Sequence, residues 1–240
     1  MTMPGNAAAS LSRGGNARVA GAGSWGRGEG RARRLLNVVV AAVGLVLTLP
    51  LMLVLAALIK VTSRGPVLFR QTRIGLDRRA LMHAGGNTRR HLDLGGQPFT
   101  LHKFRTMRAD PEDRARQVWT APNDERVTVI GRLLRRRRLD ELPQLIDVLR
   151  GDMNIVGPRP EQPAIFVNLR EQIEGYQRRQ WVRPGITGCA QIHQGYDMSL
   201  DDVRRKLAYD LDYIRSQSAL EDLKIILRTL PVMLLGRGGR

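Results

Sequence analysis

The sequence predicts an α+β architecture: one long apolar helix ahead of a small domain of helices and a short β-hairpin. Three observations carry that expectation. Residues Asn37 to Ile59 contain no charged side chain. Two runs rich in aromatic and β-favouring residues, Pro66–Gln71 and Pro98–Arg105, read as strands. Apolar residues recur at helical spacing from Leu142 to Leu149 and again from Val203 to Ile214. With 240 residues the chain can bury a real core, and one domain with appendages is the natural division.

Taken in order, residues 1–34 read as a basic tail. They are rich in Gly, Ala, Ser and Arg, with Trp25 the only aromatic, and offer too little apolar surface to order themselves. An apolar stretch followed by a small-residue cleavage site is missing, so the start does not read as a secretory signal. Residues 35–60 are the membrane segment: at about 1.5 Å per residue their uncharged run, Asn37 to Ile59, just crosses a hydrocarbon core of roughly 30 Å. Pro50 falls inside this run and removes a backbone hydrogen bond, with Thr48 close enough to satisfy a freed carbonyl.

Basic residues flank both ends, Arg31, Arg33 and Arg34 before and Lys60, Arg64, Arg70 and Arg73 after, so charge gives no preferred crossing direction. Two topologies stay open on this basis. A helix broken at Pro50 dips into one leaflet and returns, or a proline-kinked helix spans the bilayer. A buried hairpin of a soluble protein fits the run less well.

Between the two strands, Asp77 to Gln97 is polar, Arg-rich and carries two Gly-Gly pairs, a long hairpin loop or a mobile insertion. On the second strand Lys103 and Arg105 share one face while Phe104 points the other way. Such a pair is either a solvated strand face or an anion site. A helix over Pro111 to Val118 is expected from the cap offered by Asp110.

The stretch RRRRLDELPQLIDVLRGDMNIVGPRP, Arg135 to Pro160, is the richest in chemistry. Four arginines run into Asp140 and Glu141, and a short amphipathic helix is predicted to begin at these acids and stop at Gly151. Unpaired N–H groups of its first turn would favour an ionised carboxylate or a phosphate oxygen there. The bland alternative is an N-capped surface helix with solvated charges. Against it, the helix exits past Asp152 into Gly157-Pro158-Arg159-Pro160, where two prolines stiffen the backbone around one arginine.

Further on, Arg183 to Gln191 is turn-rich, Asp201 to Ser216 is a helix, and Leu220 to Leu235 is an apolar helix with Lys224 and Arg228 interrupting it. That last helix packs in a core or lies in a membrane interface. The formal charge of +17 implies an anionic partner: nucleic acid, an anionic membrane or a phosphorylated substrate. The single Cys189 excludes an internal disulfide and reads as a small core residue. Four scattered histidines lack zinc-ligand spacing, and a Walker-type phosphate loop is missing.

Together LDELPQLIDVLRGDMNIVGPRP, LHKFRTM, RPGITGCAQI and YDLDYI resemble the bacterial sugar transferases, the monotopic phosphoglycosyl transferases that start exopolysaccharide and O-antigen units. The resemblance runs from about Leu35 to the C-terminus in the family's motif order. It implies transfer of a sugar 1-phosphate from a UDP-sugar to a polyprenyl (undecaprenyl) phosphate, with release of UMP. It also implies magnesium, a covalent intermediate on Asp140, a re-entrant membrane helix, and residence at the cytoplasmic face of the bacterial inner membrane. The chain departs from the family pattern in four ways. Leu49-Pro50 stands for a Ser-Pro step, the connection after Gly75 is longer, Asp147 replaces a common Asn, and Cys189 replaces a Trp.

On this resemblance Asp140 is the nucleophile, and Glu141 helps it hold magnesium or orients it. Lys103, Arg105, Arg138, Arg159 and Arg183 are the candidate phosphate ligands, because guanidinium groups match phosphate geometry. Asp152, Gln191 and Asp210 are weaker candidates. The rival function is a membrane-tethered basic protein that binds nucleic acid or anionic lipid without catalysis. The low aromatic content, 5%, and the lack of a readable DNA-binding motif argue against nucleic acid.

Overall fold

The computed structural model describes residues 29–78, 93–108, 124–194 and 199–234. The first helix, α1, occupies Arg31–Thr62, beginning earlier and ending later than the expected 35–60. Residues 31–34 therefore belong to the helix and not to the tail. The reason is tertiary: Arg33 is buried, with Nε 2.9 Å from Asp222 and Nη2 2.6 Å from the Tyr213 hydroxyl, partners 180 or more positions away. The expected tail proper, including Trp25, lies outside the described residues.

Helical backbone runs through Pro50 without interruption, which differs from the expected break. Pro50 still removes the bond that would reach the Val46 carbonyl. Thr48 does not replace it; its hydroxyl donates to the Gly44 carbonyl at 2.7 Å. One side of α1 buries Ala41, Met52, Leu55 and Ile59 against the domain, while Val46, Leu47 and Leu53 are each more than 60% exposed.

The expected hairpin forms. β1 (Leu68–Ile74) pairs antiparallel with β2 (Pro98–Phe104), Leu68 opposite Phe104 and Ile74 opposite Pro98. At the open end Gly75 donates to the Gln97 carbonyl at 2.9 Å. Gly96 there has no room for a side chain, since a Cβ would lie 2.3 Å from the Gly75 carbonyl oxygen. Of the insertion expected between Asp77 and Gln97, residues 79–92 lie outside the described residues, as does the helix expected over 111–118 with its cap at Asp110.

α2 (Val129–Arg136) takes up the first two arginines, Arg135 and Arg136, of the block that the sequence presents as a charge run. Thr128 caps it by accepting from the Gly131 amide at 2.9 Å. α3 (Gln144–Arg150) ends at Gly151, whose φ of 88° suits glycine. A second sheet was not anticipated: β3 (Asn154–Val156) pairs in parallel with β4 (Gly185–Thr187). Strands of three residues are too short to show alternation, and Gly185 to Thr187 had read as turn.

α4 (Pro163–Gln172) starts on proline, α5 (Cys189–His193) is short, and α6 (Leu200–Ser216) and α7 (Ala219–Leu234) follow. Val203, Leu207 and Ile214 of α6 are buried, matching the predicted stripe. Cys189 sits at the margin of the core, half-buried, and not within it. One cluster joins Ala41 of α1 to Val148, Val156, Tyr213 and Ile225, and another joins Met52, Leu55 and Ile59 to Phe104 and Leu134. Both halves of α1 thus pack on the same domain.

Candidate active site

The chain leaves α2 through Arg138, the one non-glycine with positive φ (53°) among the described residues. This left-handed residue, an unfavourable conformation for a long side chain, turns the backbone into a 3₁₀ turn over Leu139–Glu141. Asp140 and Glu141 occupy that turn, ahead of Pro143 and α3, and not the first turn of the helix as expected. Both carboxylates are buried.

Their electrostatics diverge. Burial and then the neighbouring Glu141 push Asp140 above the ordinary aspartate range, while Lys103, Arg135 and Arg159 pull it back. This differs from the expectation of a carboxylate held ionised by helix N–H groups. Burial also acts on Glu141, but Arg159 and Arg138 outweigh it and hold that carboxylate low. Glu141 accepts from Arg159 Nη2 at 2.8 Å and lies 3.7 Å from Arg138 Nη1. Among the described residues the Asp140 side chain accepts no hydrogen bond, so its oxygens are left for another partner.

Beside the pair, Arg73, Leu101, Lys103, Gln144, Arg159 and Pro160 line a small solvent-open pocket. Lys103 comes from β2 and Arg73 from β1. Burial, with repulsion from Arg73 and Arg159 and partial relief from Asp140, brings Lys103 down to about 8. Arg73 is lowered to about 10, by burial and by Arg159 among its neighbours. Cations gathered at mutual cost in one pocket favour entry of an anion.

The loop carrying Arg159 is held from behind. Arg73 Nη1 donates to the Pro160 carbonyl at 2.9 Å, and Arg179 Nη2 to the Arg159 carbonyl at 3.1 Å. Arg179 is fully buried and is itself fixed by Asp210 (2.7 Å), the Tyr176 hydroxyl (2.6 Å) and Glu161 (3.5 Å). Lys206 of α6 adds a 3.0 Å contact to Glu161. Asp210 therefore acts on the site through Arg179 and does not face the pocket.

Of the residues expected at the site, the fold brings together Asp140, Glu141, Lys103, Arg138 and Arg159. It does not bring in Arg105 or Arg183. Arg105 lies past the end of β2 and donates to the carbonyls of Arg64 and Ser63 at 2.7 and 2.8 Å, tying down the exit of α1. Arg183 donates to the Gly151 carbonyl at 2.8 Å and pairs with Glu29. Asp152 lies in the turn after α3, and Gln191 on α5 donates to the Ile186 carbonyl at 3.1 Å. Sequence reasoning missed Arg73, Gln144 and Arg179. Only Gln144 left a signal, being four residues beyond Asp140.

A family model described as bacterial sugar transferase matches residues 29–236. The chain belongs to the bacterial sugar transferase family. Among curated relatives of this family member, a UDP-glucose:undecaprenyl-phosphate glucose-1-phosphate transferase of Caulobacter vibrioides is 43% identical over 204 residues, 84% of this chain and 69% of that protein. A UDP-N-acetylgalactosamine-undecaprenyl-phosphate N-acetylgalactosaminephosphotransferase of Aeromonas hydrophila is 38% identical over 87% of this chain but 45% of its own length. The exopolysaccharide production protein ExoY of Rhizobium meliloti is 35% identical over 87% of this chain and 88% of its own length. This sugar transferase thus spans under half of the Aeromonas relative and most of ExoY.

Proposed function

We propose that this sugar transferase moves a sugar 1-phosphate from a UDP-sugar to undecaprenyl phosphate through an aspartyl intermediate, as a first membrane step of exopolysaccharide or O-antigen synthesis. The observation that carries the chemistry is the buried Asp140 carboxylate, which accepts no hydrogen bond among the described residues, beside Glu141 and a pocket lined by Arg73, Lys103 and Arg159. The names of its relatives supply the donor and acceptor classes. Those names include both glucose and N-acetylgalactosamine, so the sugar is a matter for assay.

An Asp140 oxygen attacks the β-phosphorus of the donor. A new carboxyl–phosphorus bond forms as the bond from that phosphorus to the bridging oxygen breaks, and UMP leaves with the electron pair. An oxygen of the polyprenyl phosphate then attacks the same phosphorus, and the Asp140 carboxylate departs. Lys103, Arg159 and Arg73 hold phosphate oxygens through both displacements, where charge spread over equatorial oxygens is stabilised by fixed cations. Glu141, neutralised by Arg159 and Arg138, orients that arginine.

The donor set suits magnesium. The Asp140 oxygens accept no hydrogen bond among the described residues, and Glu141, held by Arg159 and Arg138, is adjacent. Magnesium commonly takes one or two carboxylates and completes its shell with substrate oxygens and water. Asp140 and Glu141 would hold it, and it would screen the carboxylate from the diphosphate.

Several contacts support a re-entrant α1. Arg33 and Asn37 near its start bond α7 and β3, and Ile59 and Ser63 near its end meet Phe104 and Arg105. A straight crossing would separate these ends by a bilayer, yet both hold one domain. On this topology the exposed leucines of the α1 midsection enter the leaflet. Leu220, Leu223, Leu227 and Leu230 of α7 lie in its interface, with the domain at the cytoplasmic face.

The test is UMP release with Asp140→Asn. The variant should release no UMP and trap no phosphosugar adduct; near-normal turnover would remove Asp140 as nucleophile. Steep salt-dependent DNA binding with no UMP formed would favour the rival function. Cysteine labelling ahead of Arg31 and beyond Thr62 should report one side of the membrane, and opposite sides would defeat the re-entrant topology.

A further inference from the structure

Among the described residues β2 pairs with one strand, β1, and its other edge meets α3. On that edge a single side chain meets the strand twice. Asp147 Oδ2 accepts from the His102 backbone amide at 2.9 Å, and Oδ1 lies 2.7 Å from His102 Nδ1. Asp147 is wholly buried and His102 partly so. Arg150 approaches the same carboxylate at 3.9 Å from α3 itself. The chemistry proposed above uses none of these groups.

Placement gives the contact its consequence. Asp140 and Gln144 precede α3 and open it, and Asp147 sits one turn further along. His102 immediately precedes Lys103, which with Leu101 forms the β2 side of the phosphate pocket. The ladder with β1 fixes the register of the hairpin but not its seat on the helix, and a shift of β2 along α3 would carry Lys103 out of line with Asp140. Two bonds from one rigid carboxylate, one to backbone and one to side chain, remove that freedom.

We propose that Asp147 and His102 form a positioning pair for the transfer reaction. By clamping β2 to the helix that follows the acidic pair, Asp147 fixes the point from which Lys103 faces Asp140. This rests on the proposed covalent mechanism. Reactions of this kind lose about 100-fold for a displacement near 1 Å, so the pair should act on the rate of the first displacement.

The test uses the full chain in lipid nanodiscs, mixed with UDP-glucose or UDP-N-acetylgalactosamine without acceptor, and follows the UMP burst. Burst amplitude counts competent sites, and burst rate reports alignment. Asp147→Ala should retain amplitude and lose about 10- to 100-fold in rate. His102→Ala, which keeps the backbone bond, should lose less. Asp147→Asn keeps an acceptor for the amide and can donate to a neutral imidazole, so it should recover most of the rate. A wild-type rate in both alanine variants, with amplitude full or reduced, overturns the proposal, because a merely structural pair would change amplitude alone. If Asp147→Ala yields no folded protein, an unchanged rate in His102→Ala overturns it. Absence of any burst in the wild-type enzyme would instead overturn the covalent mechanism, and this inference with it.

Discussion

Replacing Arg179 with methionine should destabilise the enzyme more than any change at its surface. The guanidinium is fully buried and neutralises Asp210 at 2.7 Å while also meeting Glu161, the Tyr176 hydroxyl and the Arg159 carbonyl. Glu161 keeps Lys206 at 3.0 Å, so the charge left without compensation is that of Asp210, which is 2% exposed. Breaking a buried pair by removing one partner costs about 3–5 kcal/mol. For a domain of this size that corresponds to roughly 6–20 °C in melting temperature. Circular dichroism melts of the full chain in detergent would measure it. Adding Asp210→Leu to Arg179→Met should recover much of the loss, since a neutral apolar pair leaves no orphaned charge. A shift under about 3 °C, or a double variant no more stable than the single, would refute this account of how the Arg159 loop is held.

Three further outcomes are expected. Lys103 loses its charge as pH rises through about 8, so kcat/KM for the donor should fall along that limb, and Lys103→Arg should shift the fall to higher pH. Glu161 is brought down to about 2 from 4.5, because Lys206, Arg179 and Arg73 outweigh its burial. A carboxylate depressed in the folded state stabilises above its unfolded pKa. Its contribution of roughly 3 kcal/mol should be complete above pH 4.5 and fade as pH falls toward 2, and Glu161→Gln should flatten that acid limb in denaturant titrations. Gly131→Ala would set a Cβ 2.0 Å from the Thr106 carbonyl oxygen, forcing α2 outward. A loss of about 1–3 kcal/mol is expected in the same melts.

Much of the architecture is legible before any coordinates. The uncharged run gives α1, β-favouring residues give the hairpin, and the stripe Val203, Leu207 and Ile214 gives α6. These succeed because burial periodicity is a local property of sequence. β3 and β4 are invisible in this way, being three residues each and stabilised by one another across 28 intervening residues, 157 to 184. The start of α1 is hidden for a similar reason: Arg33 looks like a tail or headgroup charge until Asp222 and Tyr213 arrive from the other end of the chain.

At the candidate site, the residue types pointed to anion handling, and the adjacency of Asp140 and Glu141 drew attention to this stretch. Which arginines serve that centre did not follow. Arg105 and Arg183 carry the same guanidinium as Arg159, yet carbonyls at the ends of α1 and α3 occupy them. Arg73, which reads as a flanking charge after the membrane segment, is instead turned into the pocket by the hairpin.

By itself the amino-acid order determined the long apolar helix, the acidic pair, the excess of cations and, through its motifs, the family. Only the tertiary structure decided which cations converge, which acid Arg159 and Arg138 hold, and that both ends of α1 hold one domain. Charge and hydropathy belong to single residues and short windows, whereas the strength of a charge and the freedom of a carboxylate depend on neighbours that the fold alone brings within a few ångströms.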